Sequence, residues 1–188
     1  MELMDAIRAR RSIRVFDGSP VSREVIDELV DAATYAPSRM NVQPWHFHIA
    51  MGESRPRVAE VMAMTTSYLD EYLDALGPEG VEHAARFYAD LGSAPVVIGI
   101  TSPVVEDVHE ARDNAISVGA AIENFLLAAV DHGLSACSIS IPHWISGRLA
   151  SVFDIADGWE IMSMIVLGYA DEVPRPKGRN TDVVTYLK

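Results

Sequence analysis

Cysteine is all but absent from this sequence: Cys137 stands alone among 188 residues. That excludes an internal disulfide, and a single thiol suits a reducing, cytoplasmic setting. Long apolar runs are missing too. No stretch reaches the roughly 18 charge-free apolar residues of a membrane span, so no transmembrane helix is expected. The opening Met1-Glu2-Leu3-Met4-Asp5 lacks the basic start and apolar run of a secretory leader. There is no GxGxxG or GxxxxGK[ST] loop, no GxSxG elbow and no HExxH pair, so Rossmann-type dinucleotide binding, P-loop chemistry, serine hydrolysis and zincin chemistry are not indicated. Repeats, low-complexity tracts and Gly/Ser linkers are also lacking, so residues 1–188 are expected to form a single domain. What remains is ordinary globular material, 49% hydrophobic and 22% charged.

Basic charge is scarce overall, 15 Lys and Arg against 27 Asp and Glu, for a net charge of −12. It is also concentrated. Residues 1–14 hold Arg8, Arg10, Arg11 and Arg14 against Glu2 and Asp5, and residues 175–188 hold Arg175, Lys177, Arg179 and Lys188 against Asp182. The 160 residues between them carry seven basic and 24 acidic groups. A body this acidic repels nucleic acid and anionic membranes. The basic ends are therefore expected to face solvent or to serve a small anion.

Hydrophobic spacing predicts the elements. Leu3, Met4 and Ile7 suggest a helix over residues 2–11. Ser22 is a good N-cap for a second helix with Val25, Ile26, Leu29, Val30 and Ala33 along one stripe, ended by Pro37. His46–Ala50 alternates as a strand with Phe47 and Ile49 inward. Residues 54–91 read as helical with a break at Gly77-Pro78, and Pro95–Thr101 as a fully buried strand. Residues 113–132 make the most hydrophobic helix, with Glu123 its only interior charge and Gly133 its C′ residue. Strands near Ala136–Ser140 and Glu160–Gly168 flank a helix at Ser146–Phe153. This irregular mixture points to an α+β architecture.

Three segments carry polar chemistry. In Arg10-Arg11-Ser12-Ile13-Arg14, three guanidiniums and a hydroxyl lie within five residues and suit a phosphate, although cations at a helix end equally compensate its dipole. In Ala36-Pro37-Ser38-Arg39-Met40-Asn41-Val42-Gln43-Pro44-Trp45, polar side chains sit on a proline-restrained loop, which also reads as an ordinary turn. Pro174-Arg175-Pro176-Lys177-Gly178-Arg179 is an extended basic tail that can reach the same anion, or simply be solvated. Six histidines show no metal-ligand spacing, so no metal is expected. Cys137 sits in an apolar strand as a buried hydrophobe. No side-chain acid, base or nucleophile stands out.

In this order the segments resemble the nitroreductase family of flavoproteins. The resemblance rests on Arg10-Arg11-Ser12-Ile13-Arg14-Val15-Phe16, on Ala36 through Trp45, on Gly119–Asn124 leading to Gly133-Leu134-Ser135-Ala136-Cys137, and on Leu167-Gly168-Tyr169 followed by Pro176-Lys177-Gly178-Arg179. It implies an α+β fold with a central mixed or antiparallel sheet flanked by helices, in an intertwined homodimer with FMN at the interface. Arg10, Arg11, Ser12 and Arg14 are then expected to hold the phosphate and ribityl chain, with Lys177 and Arg179 closing on the phosphate. Pro37, Ser38, Arg39, Asn41 and Gln43 would approach the same flavin from the other subunit, and the backbone of Ile139-Ser140 would pass beside its ring system.

The activity implied is ping-pong reduction of nitroaromatics, quinones or similar small acceptors by NADH or NADPH. The apolar helix 113–132 would serve core and dimer interface. Ser140 stands where relatives often carry glycine, and Ile141-Pro142-His143-Trp144 follows, so the rim of the pocket departs from the pattern. Residues 51–93 match nothing in it and are expected to include the lid. The alternatives are a non-catalytic FMN carrier or sensor, a dehalogenating, azoline-oxidising or flavin-consuming branch of the family, and an interaction protein that uses its basic ends.

Overall fold

Four strands, scattered along the chain among helices, assemble into one sheet in the order β1-β2-β4-β3. A computed structural model describes residues 1–174 and 178–187, apart from the side chains of Asp70 and Tyr72. The strands are β1 (His46–Met51), β2 (Val96–Pro103), β3 (Ser135–Ile139) and β4 (Trp159–Gly168). Every pairing is antiparallel, with Phe47 opposite Ile100, Ile98 opposite Ile165 and Cys137 opposite Val166. Among the described residues, parallel pairing is confined to an isolated bridge between Ser12 and Ala136.

The central strand β2 is buried from Val96 through Ser102, as its unbroken apolar run predicts. Its alternate residues feed two cores. Val96, Ile98 and Ile100 join one made with helices α2 (Arg23–Thr34) and α5 (Val108–Asp131). Val97 joins the other, with α3 (Arg55–Ala63), the end of α4 (Leu73–Asp90) and α6 (Ser146–Val152). Gly99 leaves room for the Phe153 ring, whose carbons would lie 3.1 Å from an added Cβ.

The helices show why the sequence signals worked or failed. Ser22 caps α2, its Oγ accepting from the Val25 amide at 3.4 Å, and Ile26, Leu29 and Ala33 are buried as the stripe requires. Gly133 takes φ +71° just beyond α5, where a left-handed residue closes the helix end. The same helix begins five residues before the expected start at 113, because the Asp107 carboxylate accepts from the amides of His109 and Glu110. By length and composition α5 could cross a membrane, yet Ala121, Phe125 and Ala129 are fully buried against α2 and the sheet. Its apolarity is not all core: Val108 and Ile116 are 67% and 65% exposed.

Two expectations need correction. The first helix, α1, spans only Leu3–Ala9 and buries only Ala6, leaving Leu3, Met4 and Ile7 exposed. It stops because the chain turns extended at Arg10 so that Ser12 can bridge to Ala136. On β1, Phe47 packs against Phe125 as expected, but Ile49 remains 38% exposed because the strand lies at the sheet edge. The segment 54–91 is helical in pieces: α3, a 3₁₀ stretch Met64–Tyr72, then α4, broken at Gly77 with φ +68°.

Candidate active site

The site is built where the extended arm after α1 crosses the sheet end. Ile13 and Phe16 are buried and act as pegs, with the Ile13 amide donating to the Ala136 carbonyl at 3.2 Å and the Phe16 amide to that of Gly92 at 2.9 Å. Between the pegs the polar residues are left partly open. Arg10 Nε reaches Glu123 Oε1 at 3.0 Å. Arg11 folds back onto α1, donating to the carbonyls of Arg8 and Arg10, so its cation serves the helix end. Arg14 turns toward a cavity of about 570 Å³ that it lines together with Ser140.

Cys137 lies beneath this arm. Burial pushes its thiol pKa up, while Arg14, a hydrogen bond with Ser12, and Arg10 pull the other way. The Ser12–Ala136 bridge and the Ile13 amide bond to the Ala136 carbonyl lay the arm alongside the start of β3, next to Cys137. Glu172 also meets the arm, its carboxylate accepting from the backbone amides of Arg14 and Val15. The carboxylate thereby fixes the main chain and leaves the Arg14 guanidinium to the cavity. Nothing in the sequence marked Glu172, since no periodicity or motif covers it.

The cavity has a floor, a rim and a roof. The floor comes from Arg14 and Ser140, where β3 has just ended. Ile141, Pro142 and Trp144 form the rim, and the roof comes from the 3₁₀ stretch Met64–Tyr72 and from α4, with Tyr68, Leu76, His83 and Phe87 among its side chains. The Tyr68 and Trp144 rings meet at 4.5 Å with a 48° tilt, joining roof to rim. Within the segment 51–93, residues between 65 and 88 line the cavity, a role unrecognisable in sequence because their apolar side chains serve two breaks and a cavity rather than one periodic face. Size and apolar lining suit a planar organic ligand.

The Ser38 loop lies elsewhere. Met40, Asn41 and Gln43 all hold left-handed backbone angles, a costly arrangement for residues other than glycine. Ser38 Oγ supports it by accepting from the Gln43 amide at 3.0 Å, and Gln43 Nε2 donates to Asn41 Oδ1 at 3.3 Å. Arg39 pairs with Asp113 and Glu110 of α5, at 3.3 and 3.9 Å. None of Pro37 through Gln43 borders the cavity of its own chain. Arg179 is exposed, and Lys177 lies outside the described residues. Among the described residues no group of three His, Cys, Asp or Glu gathers as a metal would need.

The chain thus folds as an antiparallel sheet flanked by helices, with Arg14 lining a cavity roofed by apolar and aromatic side chains. The chain belongs to the Nitroreductase family, whose profile matches residues 7–169. It is 28% identical to a nitrobenzene nitroreductase of Ectopseudomonas oleovorans, over 89% of this chain and 86% of that protein. A BluB-like flavoprotein from Clostridium difficile 630 superposes with a TM-score of 0.77 at 26% identity, each chain covered completely. The FMN-dependent nitroreductase NfnB from Mycobacterium smegmatis, solved in complex with NADPH, shares the fold with a TM-score of 0.79 at 19% identity, again over the whole of both chains.

Proposed function

We propose that this protein is an FMN-dependent oxidoreductase that uses NADH or NADPH to reduce nitroaromatics, quinones or similar small acceptors. The observation that carries the reading is the meeting of Arg14, Ser140 and an aromatic roof at one cavity, with Arg10 and Ser12 on the same extended arm as Arg14. A guanidinium at one end and apolar walls beyond it match a molecule that is anionic at its phosphate and flat at its ring. When bound, FMN supplies the electron chemistry, hydride in from the nicotinamide and electrons out to the acceptor, in a ping-pong sequence.

The residues hold and orient. Arg10, Ser12 and Arg14 grip the phosphate and ribityl chain, with Arg11 setting the end of α1 that delivers them. Lys177 and Arg179 close on the phosphate from the tail. The main chain of Ile139 and Ser140 would pass beside the flavin ring system, where backbone dipoles would stabilise added negative charge. Pro37, Ser38, Arg39, Asn41 and Gln43 complete the site from a second copy of the chain. Two features support that homodimer: the strained loop serves no cavity of its own chain, and Leu3, Met4, Ile7 and Ile116 expose apolar surface.

The test is the visible spectrum of the purified protein before and after anaerobic NADPH or NADH. A flavin spectrum that bleaches is expected. A flavin that persists with both donors points to a carrier or sensor instead. Arg10→Ala with Arg14→Ala is expected to abolish flavin retention in a folded dimer, and full retention would sink the phosphate assignment.

A further inference from the structure

We propose that the lid makes this cavity selective for uncharged planar aromatic acceptors over their carboxylated counterparts, with Tyr68 and Trp144 clasping the ring and Glu71 repelling the anion. This deepens the oxidoreductase reading and rests on it.

The clasp is visible in the geometry. Tyr68 sits on the 3₁₀ stretch of the roof and Trp144 on the turn His143–Ile145 of the rim. Their rings touch at 4.5 Å, yet Tyr68 is 47% and Trp144 45% exposed. Two large aromatic faces left half in water at the mouth of an apolar cavity gain most from a flat ring that slides between or beneath them. The roof that carries Tyr68 has a natural joint, since Gly77 breaks α4 with φ +68° immediately before Pro78. Opening the pair admits a ligand without unpacking Met62 or Phe87, which anchor the two ends of the roof in the core.

The charge preference comes from the composition of the same segment. Residues 65–88 contain Asp70, Glu71, Asp74, Glu79 and Glu82 against no lysine and a single arginine, Arg86, which does not line the cavity. Glu71 lines the cavity itself. Arg14 is the cavity's guanidinium, and in the loaded enzyme its charge is engaged by the phosphate. His83 is the other nitrogen base on the wall. A carboxylated acceptor must therefore lose water beside a carboxylate without gaining a cation, which costs affinity that a neutral ring of the same shape keeps.

The experiment uses oxidised holoenzyme without nicotinamide, at low salt and about pH 8. Dissociation constants for para-nitrobenzamide and para-nitrobenzoate, equal in shape and different in charge, are measured by calorimetry. The amide is expected to bind about five- to tenfold more tightly, as a few unscreened charges at partial exposure allow. Glu71→Lys is expected to erase or invert the preference, and Glu71→Gln to reduce it. Trp144→Ala and, independently, Tyr68→Ala are expected to weaken both ligands by a similar factor.

Equal affinities in the unmodified enzyme, or a preference untouched by Glu71→Lys, overturns the charge argument. Undiminished amide binding in both ring deletions overturns the clasp. A protein that holds no reducible flavin overturns the oxidoreductase reading and this inference together, whereas reducible flavin with equal affinities overturns the inference alone.

Discussion

Arginine identity says little until each guanidinium's partners are known. Arg11 spends its donors on two carbonyls at the end of α1, Arg10 bonds Glu123, Arg39 is shared by Asp113 and Glu110, and Arg14 alone among these turns into the cavity. Arg14→Ala is therefore expected to weaken FMN binding more than Arg11→Ala, by at least tenfold in dissociation constant, since a charge-assisted contact to phosphate is worth about 1.5–3 kcal/mol. Cys137, with its thiol pushed up by burial, stays protonated near neutrality. Native protein should then react with a thiol reagent only as fast as it unfolds. Rapid stoichiometric labelling would show that the sheet end is open.

His48 makes a pH prediction. Burial first, then repulsion from His46, holds its pKa below the ordinary value. The unfolded chain thus binds a proton that the folded chain refuses, so this contribution is intact above about pH 6.5 and is lost as pH falls below it. The melting temperature is expected to drop between about pH 7 and pH 5.5, and His48→Gln to reduce that drop.

At the scale of elements, the turn Leu91–Ser93 is where the roof meets the arm. Leu91, Gly92 and Ser93 all take left-handed angles, and a Cβ on Gly92 would lie 1.9 Å from the Arg14 carbonyl oxygen. Gly92→Ala must push the arm away, and it is expected to cost about 2 kcal/mol of stability and to loosen flavin binding as well. Unchanged flavin affinity in the folded variant would separate the turn from the site.

This region also marks the limit of what the sequence could tell. The capped, one-faced α2, the buried β2 and the glycine after α5 were readable because local chemistry dictated them. Family-like motifs brought out Arg14 and Ser140, which line the cavity, together with Arg10, Arg11 and Ser12, which do not line it. The roof was illegible because Tyr68 and Trp144 are far apart in sequence and meet only in the fold. The true extent of α1 was illegible too, since a bridge from Ser12 to Ala136, a tertiary contact, decides where that helix ends.

At the scale of the molecule, the charge asymmetry and the exposed apolar residues belong to one design. The chain of 20.6 kDa carries a net charge of −12, so copies repel at long range and the proposed homodimer would have to form through apolar surface. Sedimentation is expected to show a dimer at micromolar concentration. Ile7→Glu with Ile116→Glu should shift it to monomer and strip flavin, because the Ser38 loop then no longer completes the neighbouring site. A flavin-loaded monomer would place that loop outside the binding site. The roof between Met62 and Phe87 enters and leaves the core at fixed points, and its middle contributes nothing to the sheet. Lengthening such an excursion costs only slowly growing closure entropy. On the proposed function the roof is therefore an exchangeable cassette: one segment can be rewritten for a new acceptor while the end around Arg14 and Ser140 stays as it is.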